Sequence, residues 1–259
     1  MSDEILIQRD GHLATVVLNR PEKLNAMTKP MWRALGEAIE ELSADSKLRC
    51  VVLRGAGGKA FSPGNDISEF ETHRSNPEQA KAYGEILHRT LTALGGCRHP
   101  TVALIEGICV GGGLEIAALC DIRICGESSR FGVPINRLGL VMAYPEIDGL
   151  RRLVGRATTL EILLEGRVFG AAEAREKGLV NRVVPDERVE AEAMETAQRI
   201  ADGAPLVARW HKSFLRRLED PTPLAEAELD QGYACYATED FQIGYRSFLE
   251  KKRPLFKGR

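Results

Sequence analysis

The sequence predicts an α/β fold, and three observations support that prediction. Short apolar, β-rich runs alternate with segments of helical period through the first half of the chain. Glycine-rich loops follow two of the buried strand runs, and the second half is dominated by helical segments. The 259 residues, of which 44% are hydrophobic, provide enough apolar material for one large core.

The first half begins with two strands separated by Asp10-Gly11, a pair typical of a hairpin turn. Apolar side chains then recur at helical spacing between Met31 and Leu42. The predicted order is strands 5–9 and 13–18, helix 28–42, strand 50–53, helix 79–94, strand 101–105, helix 114–119 and strand 122–125. This alternation predicts crossover connections and a sheet with parallel strands.

The second half predicts helices and no further strands. The helical segments are 160–165, 171–177, 188–201 and 223–249, punctuated by Gly170, Gly178 and Pro185. We therefore predict a strand-bearing core over residues 1–195 and a helical C-terminal region over residues 196–259.

Composition excludes several classes of function. With 35 basic and 37 acidic residues the net charge is -2, which gives no long-range attraction to nucleic acid or anionic lipid. No apolar run approaches the ~20 residues of a membrane-spanning helix. Acidic residues also occupy the N-terminus where a secretory signal is basic, which favours a cytoplasmic protein.

The six cysteines and five histidines have no metal-binding spacing, so we expect no metal site. In a chain of this length without a secretory signal, the cysteines are expected to be reduced and mostly buried. His99, next to Pro100 at the start of a strand, is interpreted as structural.

Two glycine-rich loops could hold chemistry. Gly55 to Ala60 fits G-x-G-x-x-A, but Pro63 and Gly64 follow too soon for the helix that a dinucleotide site requires. The segment also lacks the Walker A residues, so nucleotide-phosphate binding is set aside.

The second loop runs from Gly107 to Glu115 and contains three consecutive glycines. A tight turn explains one glycine, whereas three allow the backbone to lie against a ligand at a helix N-terminus. Such a place suits a developing oxyanion. Glu115 lies one helical turn further on among apolar neighbours. Burial of an unpaired carboxyl group there costs folding free energy, so we interpret Glu115 as a residue retained for function and a candidate catalytic residue.

Motifs in a fixed order run along nearly the whole chain. They include Leu18-Asn-Arg-Pro21, Ala60-Phe-Ser-Pro-Gly-Asn-Asp-Ile67, Gly111-Gly-Gly-Leu-Glu115 with Cys120-Asp121, and Phe248-Leu-Glu-Lys-Lys-Arg-Pro254. In order and spacing these motifs resemble the crotonase (enoyl-CoA hydratase/isomerase) family.

The resemblance implies a spiral of ββα units with a C-terminal helical region that builds trimers, often paired into hexamers. It implies an acyl-CoA thioester substrate whose oxygen becomes an enolate, held by the backbone N–H groups of Asn65 and Gly112. Coenzyme A then enters only as part of the substrate, and no metal or redox cofactor is expected. The positions that match the family's substrate-binding loops are Arg20, Lys23, Leu24, Ala26, Ala60, Asp66, Ile67 and Gly111.

The chain departs from the family pattern at one catalytic position. Family hydratases use two glutamates; Glu115 matches the first, but Ile135 stands where the second belongs. Three interpretations remain open. Glu146 or Asp148 replaces the missing acid and 2-enoyl-CoA hydration persists; Glu115 alone serves an isomerase, lyase or hydrolase; or the protein binds acyl-CoA without turning it over.

Basic side chains suggest contacts with coenzyme A. Arg20 and Lys23 in the early loop could meet its phosphates. The basic C-terminus around Phe256 is either a solvated tail or, as the resemblance suggests, a cover for the nucleotide of a neighbouring subunit's substrate. Asp121 is interpreted as a local hydrogen-bond acceptor.

Overall fold

The structure is a computed structural model that describes residues 4–259. Its ten strands are β1 (Ile5–Asp10), β2 (Leu13–Leu18), β3 (Cys50–Gly55), β4 (Ala60–Ser62), β5 (Thr101–Ile105), β6 (Ile108–Val110), β7 (Ile122–Gly126), β8 (Arg130–Gly132), β9 (Phe169–Gly170) and β10 (Arg182–Val184). Its ten α-helices are α1 (Lys29–Ala44), α2 (Phe70–His73), α3 (Pro77–Gly96), α4 (Gly112–Leu119), α5 (Tyr144–Glu165), α6 (Ala171–Glu176), α7 (Val189–Asp202), α8 (Pro205–Arg217), α9 (Glu226–Asp230) and α10 (Glu239–Leu249). The predicted α/β class is confirmed.

Two sheets are built in alternation along the chain. The larger has the order β1-β2-β3-β5-β7-β10, and the smaller has the order β4-β6-β8-β9. β1 and β2 form the predicted antiparallel hairpin, with Ile5 opposite Leu18. The pairs β3/β4, β5/β6 and β7/β8 each contribute one strand to each sheet and are followed by a helix. This is the ββα spiral that the resemblance implied.

The larger sheet is covered on both faces. In β3, Val51 and Leu53 belong to a core that includes α1, whereas Cys50 and Val52 face a second cluster that includes α7. Alternation along one strand thus divides the apolar side chains between two layers. Helix α7 packs on the sheet and spans residue 195. The predicted division of the chain into a core and a C-terminal region at that residue stays a prediction.

Two predictions about the second half were wrong. Strands β9 and β10 were missed because they have two and three residues and are defined by pairing with β8 and β7 rather than by an apolar run. The helix predicted over residues 223–249 is instead α9, a 3₁₀ helix over Gln231–Ala237 and α10. Thr238 ends the 3₁₀ segment and caps α10, since its Oγ1 accepts a hydrogen bond from the Phe241 N–H.

Five of the six cysteines are buried, as predicted, and Cys235 is half-buried. His99 is also buried, and its ring faces the Asp45 carbonyl at 3.0 Å, which agrees with a structural role. Burial lowers the pKa of His99 to about 4. Among residues 4–259, no helix is both long enough and apolar enough to cross a bilayer.

Candidate active site

Two separate turns of the chain meet at one point. The turn after β4 contains Gly64 and Asn65, and the turn after β6 leads into Gly112 at the start of α4. A Cβ atom added at Gly64 would lie 2.6 Å from the Gly112 nitrogen, so only the absence of a side chain allows this approach. The predicted neighbourhood of Asn65 and Gly112 therefore exists.

The three consecutive glycines have different local reasons. Gly111 has φ = 50° with ψ = -128°, a conformation that other residues avoid. A Cβ atom at Gly113 would lie 2.1 Å from the Ser62 carbonyl oxygen. The three glycines were interpreted as allowing the backbone to lie against a ligand, but close packing against Ser62 explains part of the requirement.

The backbone amides of Asn65 and Gly112 are not used by the fold. Around Asn65, the hydrogen bonds to the neighbouring loop come from the N–H groups of Met27 and Asp66. Gly112 is the first residue of α4, where an N–H has no acceptor in its own helix. Among residues 4–259, neither amide has an acceptor.

The side chain of Asn65 is held from two sides. Its Oδ1 accepts a hydrogen bond from Trp32 Nε1 at 2.6 Å and lies 3.4 Å from the hydroxyl oxygen of Tyr83. Both aromatic side chains are fully buried, so they restrict the turn that contains Asn65.

A cleft of about 460 Å³ opens beside these two turns. Most of its wall is apolar, and a few polar side chains interrupt it. The lining residues are Ala26, Pro63, Asn65, Asp66, Ile67, Phe70, Arg74, Gly111, Gly112, Glu115, Pro134, Ile135, Leu138, Leu140, Val141, Met142 and Glu146. A concave, mostly apolar cleft with a few convergent polar groups is typical of a small-molecule site.

Glu115 projects into this cleft from the first turn of α4. Its Oε2 is buried and has no hydrogen-bond partner among residues 4–259. Burial, reinforced by the charge of Glu146, raises the pKa of Glu115 to about 8. Glu115 therefore holds a proton at neutral pH and can donate it.

Glu146 lines the same cleft from the first turn of α5. Its Oε2 accepts a hydrogen bond from the Ala143 N–H at 2.8 Å, and its Oε1 lies 3.2 Å from His88 Nε2. Asp148, the other candidate acid, forms ion pairs with Arg151 and Arg152 and is not part of the lining. Of the two candidates, only Glu146 lines the cleft with Glu115.

Ile135 lies where the family pattern predicts a glutamate. It belongs to a short 3₁₀ helix, Pro134–Leu138, lines the cleft and packs against the core. The substitution leaves that part of the wall apolar.

The other predicted substrate-binding residues divide into two groups. Ala26, Asp66, Ile67 and Gly111 line the cleft, whereas Arg20, Lys23, Leu24, Ala60 and Phe256 do not.

Three residues of the early loop have distinct surroundings. Arg20 is bound within the protein, since its Nη1 donates to Asp66 Oδ2 at 2.6 Å and to the Ala26 carbonyl at 3.1 Å. That ion pair lowers the pKa of Asp66 to about 2. Lys23 and Leu24 are exposed at the end of the short 3₁₀ helix Pro21–Lys23.

Two other residues serve the fold within this chain. Ala60 is buried in β4, where its carbonyl accepts a hydrogen bond from Asn25 Nδ2. Phe256 is half-buried near Gly244, and its carbonyl accepts from Arg49.

Two polar residues in or beside the site were not predicted from the sequence. Arg74 follows a short helix in a polar stretch, and His88 is one of five scattered histidines. Neither residue belongs to a motif, so only the packing of α2 and α3 against the cleft reveals them. Asp121 is confirmed as a local acceptor, from the N–H and hydroxyl of Thr101.

The spiral of ββα units and the cleft at the start of α4 define the class of fold and site. The chain belongs to the enoyl-CoA hydratase/isomerase family, whose sequence profile matches residues 8–259. It is 32% identical over 254 residues to a short-chain-enoyl-CoA hydratase of Clostridium acetobutylicum, a match that covers 97% of this chain and 96% of that protein.

Solved structures agree with this assignment. An enoyl-CoA hydratase/carnithine racemase from Magnetospirillum magneticum is 53% identical, with a TM-score of 0.98 over 100% of this chain and 97% of that one. An enoyl-CoA hydratase from Bacillus anthracis is 29% identical, with a TM-score of 0.91 over 99% of this chain and 100% of that one. The chain is thus a crotonase-family enzyme, a hydratase or a related enzyme of acyl-CoA thioesters.

Proposed function

We propose that this enzyme adds water to the double bond of a 2-enoyl-CoA thioester. The observation that carries the proposal is the pair of carboxyl groups, Glu115 and Glu146, in one cleft beside the unused amides of Asn65 and Gly112. Addition of water needs one group that accepts a proton, one that donates a proton, and a place for negative charge between the two events.

The two amides serve as the oxyanion hole. As water adds to the β-carbon, electrons move through the double bond and the thioester oxygen becomes an enolate oxygen. Hydrogen-bond donors already fixed in place stabilise that charge more than they stabilise the neutral thioester, which lowers the barrier. Loss of one such donor costs about 3 kcal/mol, or roughly a hundredfold in rate.

The carboxyl groups divide the proton transfers. Burial and the charge of Glu146 together raise the pKa of Glu115, so Glu115 enters the reaction protonated. Glu146 removes a proton from the attacking water, and Glu115 delivers one to the α-carbon of the enolate. The pair then exchanges a proton and returns to its starting state, so no metal or redox cofactor is required.

A second function is favoured by Ile135. This side chain can transfer no proton, and it occupies the position of the family's second catalytic glutamate. If Glu146 does not replace that residue, Glu115 alone would support a related isomerase, lyase or hydrolase reaction, or the protein would bind acyl-CoA without turning it over.

We further propose that the chain assembles into trimers or dimers of trimers through residues 196–259. Large apolar side chains are exposed there, including Leu215, Tyr233, Phe248 and Leu249. Exposure of this extent marks surfaces that another chain covers. In such an assembly Phe256 and the basic C-terminus would cover the coenzyme A bound to a neighbouring subunit. We propose the cytoplasm as the location of the enzyme. Light scattering that finds a monomer at micromolar concentration would contradict the assembly.

The reaction is tested with purified protein and crotonyl-CoA, by following loss of the conjugated thioester absorbance. We expect hydration by the wild type, and loss of at least a hundredfold in kcat for Glu115→Gln and Glu146→Gln. Asp148→Asn is the matched control, because its carboxyl belongs to surface ion pairs on the same helix as Glu146. Full activity of Glu146→Gln would remove this residue from the mechanism, and an inert wild type that binds the ester would favour the binding function.

A further inference from the structure

Arg74 brings a positive charge to the wall of the cleft. It follows α2, and its N–H donates to the Phe70 carbonyl at 3.0 Å, which fixes its backbone. Its guanidinium carbon lies 4.8 Å from the ring centre of Phe70 and 4.9 Å from that of Tyr83. The two rings hold the side chain in place and leave its N–H donors available.

Three carboxyl groups in or beside this part of the cleft have other partners. Glu69 accepts hydrogen bonds from the Lys29 N–H and the Tyr83 hydroxyl, and Asp66 pairs with Arg20. Glu146 faces His88 and the Ala143 amide. Among residues 4–259, Arg74 forms no ion pair, so its charge is not neutralised by the protein.

Arg74 lies near the reacting end of the cleft. Its charge acts on Glu115 and opposes the rise in the pKa of that group. The Tyr83 ring beneath it also contributes the hydroxyl that lies 3.4 Å from the Asn65 side chain. Arg20 and Lys23, in the loop predicted to meet coenzyme A phosphates, lie outside the lining. Arg74 therefore belongs to the part of the site that receives the acyl chain.

A neutral acyl chain would be a poor partner for this residue. The cleft wall is mostly apolar, with Ile67, Phe70 and Leu140 among its members. A hydrocarbon chain that filled the cleft would remove water from the unpaired guanidinium of Arg74 without providing a hydrogen-bond acceptor in its place. A carboxylate would replace that water with charge-assisted hydrogen bonds in the fork geometry that arginine prefers.

We propose that Arg74 makes the enzyme selective for acyl-CoA thioesters whose acyl chain carries a carboxylate. The inference rests on the proposed acyl-CoA function and adds the class of substrate to it. We assign a carboxylate of the acyl chain, rather than a phosphate of coenzyme A, as the partner of Arg74, because Arg74 lies against the Tyr83 ring and its charge acts on Glu115.

The test compares matched pairs of 2-enoyl-CoA thioesters, of five and six acyl carbons, that end in either a carboxylate or a methyl group. For the wild type, we expect kcat/KM for the carboxylate member to exceed that for the methyl member at least tenfold. Arg74→Gln should reduce this ratio 10- to 100-fold, and Arg74→Lys should retain part of it. Arg33→Gln, at an exposed position on α1 outside the lining, makes the same change of charge and should leave the ratio unchanged.

The ratio separates selectivity from general damage. A change in the pKa of Glu115 or in the stability of the fold affects both members of a pair and cancels. Equal losses for both members in Arg74→Gln would assign Arg74 to the common coenzyme A portion and overturn the inference, as would a wild type without preference.

A binding experiment keeps this inference separate from the hydratase proposal. Calorimetry with saturated acyl-CoA thioesters, again ending in a carboxylate or a methyl group, needs no turnover. Tighter wild-type binding of the carboxylate form, lost in Arg74→Gln, would support the inference even if hydration were absent. Equal affinities for the two forms would refute it.

Discussion

Replacement of Glu115 by glutamine should change how the stability of the protein depends on pH. Burial raises the pKa of Glu115 from 4.5 to about 8, so between these values the folded state retains a proton that the unfolded state has lost. The stabilising effect of this proton is complete below pH 4.5 and disappears as the pH rises through 8. The wild type should therefore lose stability over that range, and Glu115→Gln, which cannot ionise, should lose less.

The magnitude follows from the shift. One pKa unit corresponds to about 1.4 kcal/mol, so a shift from 4.5 to about 8 gives a difference of about 4 kcal/mol between pH 5 and pH 9. Water that enters the cleft when Glu115 ionises reduces this figure, and we expect about 2–4 kcal/mol. The change across pH, rather than the offset at one pH, is the prediction, because the glutamine amide adds a constant term of its own.

The assay is urea unfolding at pH 5, 7 and 9 at one protein concentration, followed by tryptophan fluorescence, since Trp32 is buried beside Asn65. Asp148→Asn provides the control. Its ion pairs with Arg151 and Arg152 lower the pKa of Asp148, so its contribution is already constant above pH 5. Parallel stability curves for the wild type and Glu115→Gln would refute the raised pKa and, with it, the role of Glu115 as proton donor.

Two further predictions concern the supports of the site. Gly64→Ala should lower kcat/KM for hydration at least a hundredfold, because its Cβ would lie 2.6 Å from the Gly112 nitrogen. Gly139→Ala is the control: Gly139 also has a positive φ (67°), but no atom lies within 4 Å of its added Cβ, so this variant shows the cost of backbone strain alone. Similar losses of activity in both variants would contradict the clash. His88→Gln should lower kcat about tenfold with KM unchanged, because Glu146 loses the ring nitrogen at 3.2 Å that orients it. An unchanged kcat together with reduced stability would assign His88 to the fold only.

The parts of the fold that follow from local patterns could be predicted from the sequence. The hairpin at Asp10-Gly11 and the buried runs that became β3, β5 and β7 have signals within a few residues. Strands β9 and β10 have no such signal, because a strand of two or three residues exists only through its partner. The kink in α5 at Gly155, where φ is 74°, is likewise a property of packing rather than of periodicity.

The site shows the same division. The cluster of glycines and the acid in an apolar helix predicted the region around Gly112 and Glu115, because both features lower the stability of the fold and therefore indicate a functional site. Arg74 and His88 are ordinary polar residues in ordinary polar segments, and nothing local distinguishes them. Their importance comes from the place to which α2 and α3 bring them, which is a long-range property of the fold.

The exchange of a glutamate for Ile135 can be understood from the geometry of α5. This helix begins at Tyr144, so Glu146 lies in its first turn, where a carboxyl is favoured by the helix dipole and accepts the Ala143 N–H. The same turn forms part of the cleft wall, so one residue can both stabilise the helix start and face the substrate. The proposed role of Glu146 in the reaction rests on its place in the cleft wall with Glu115, and the His88 ring nitrogen at 3.2 Å from its Oε1 can orient it for that role.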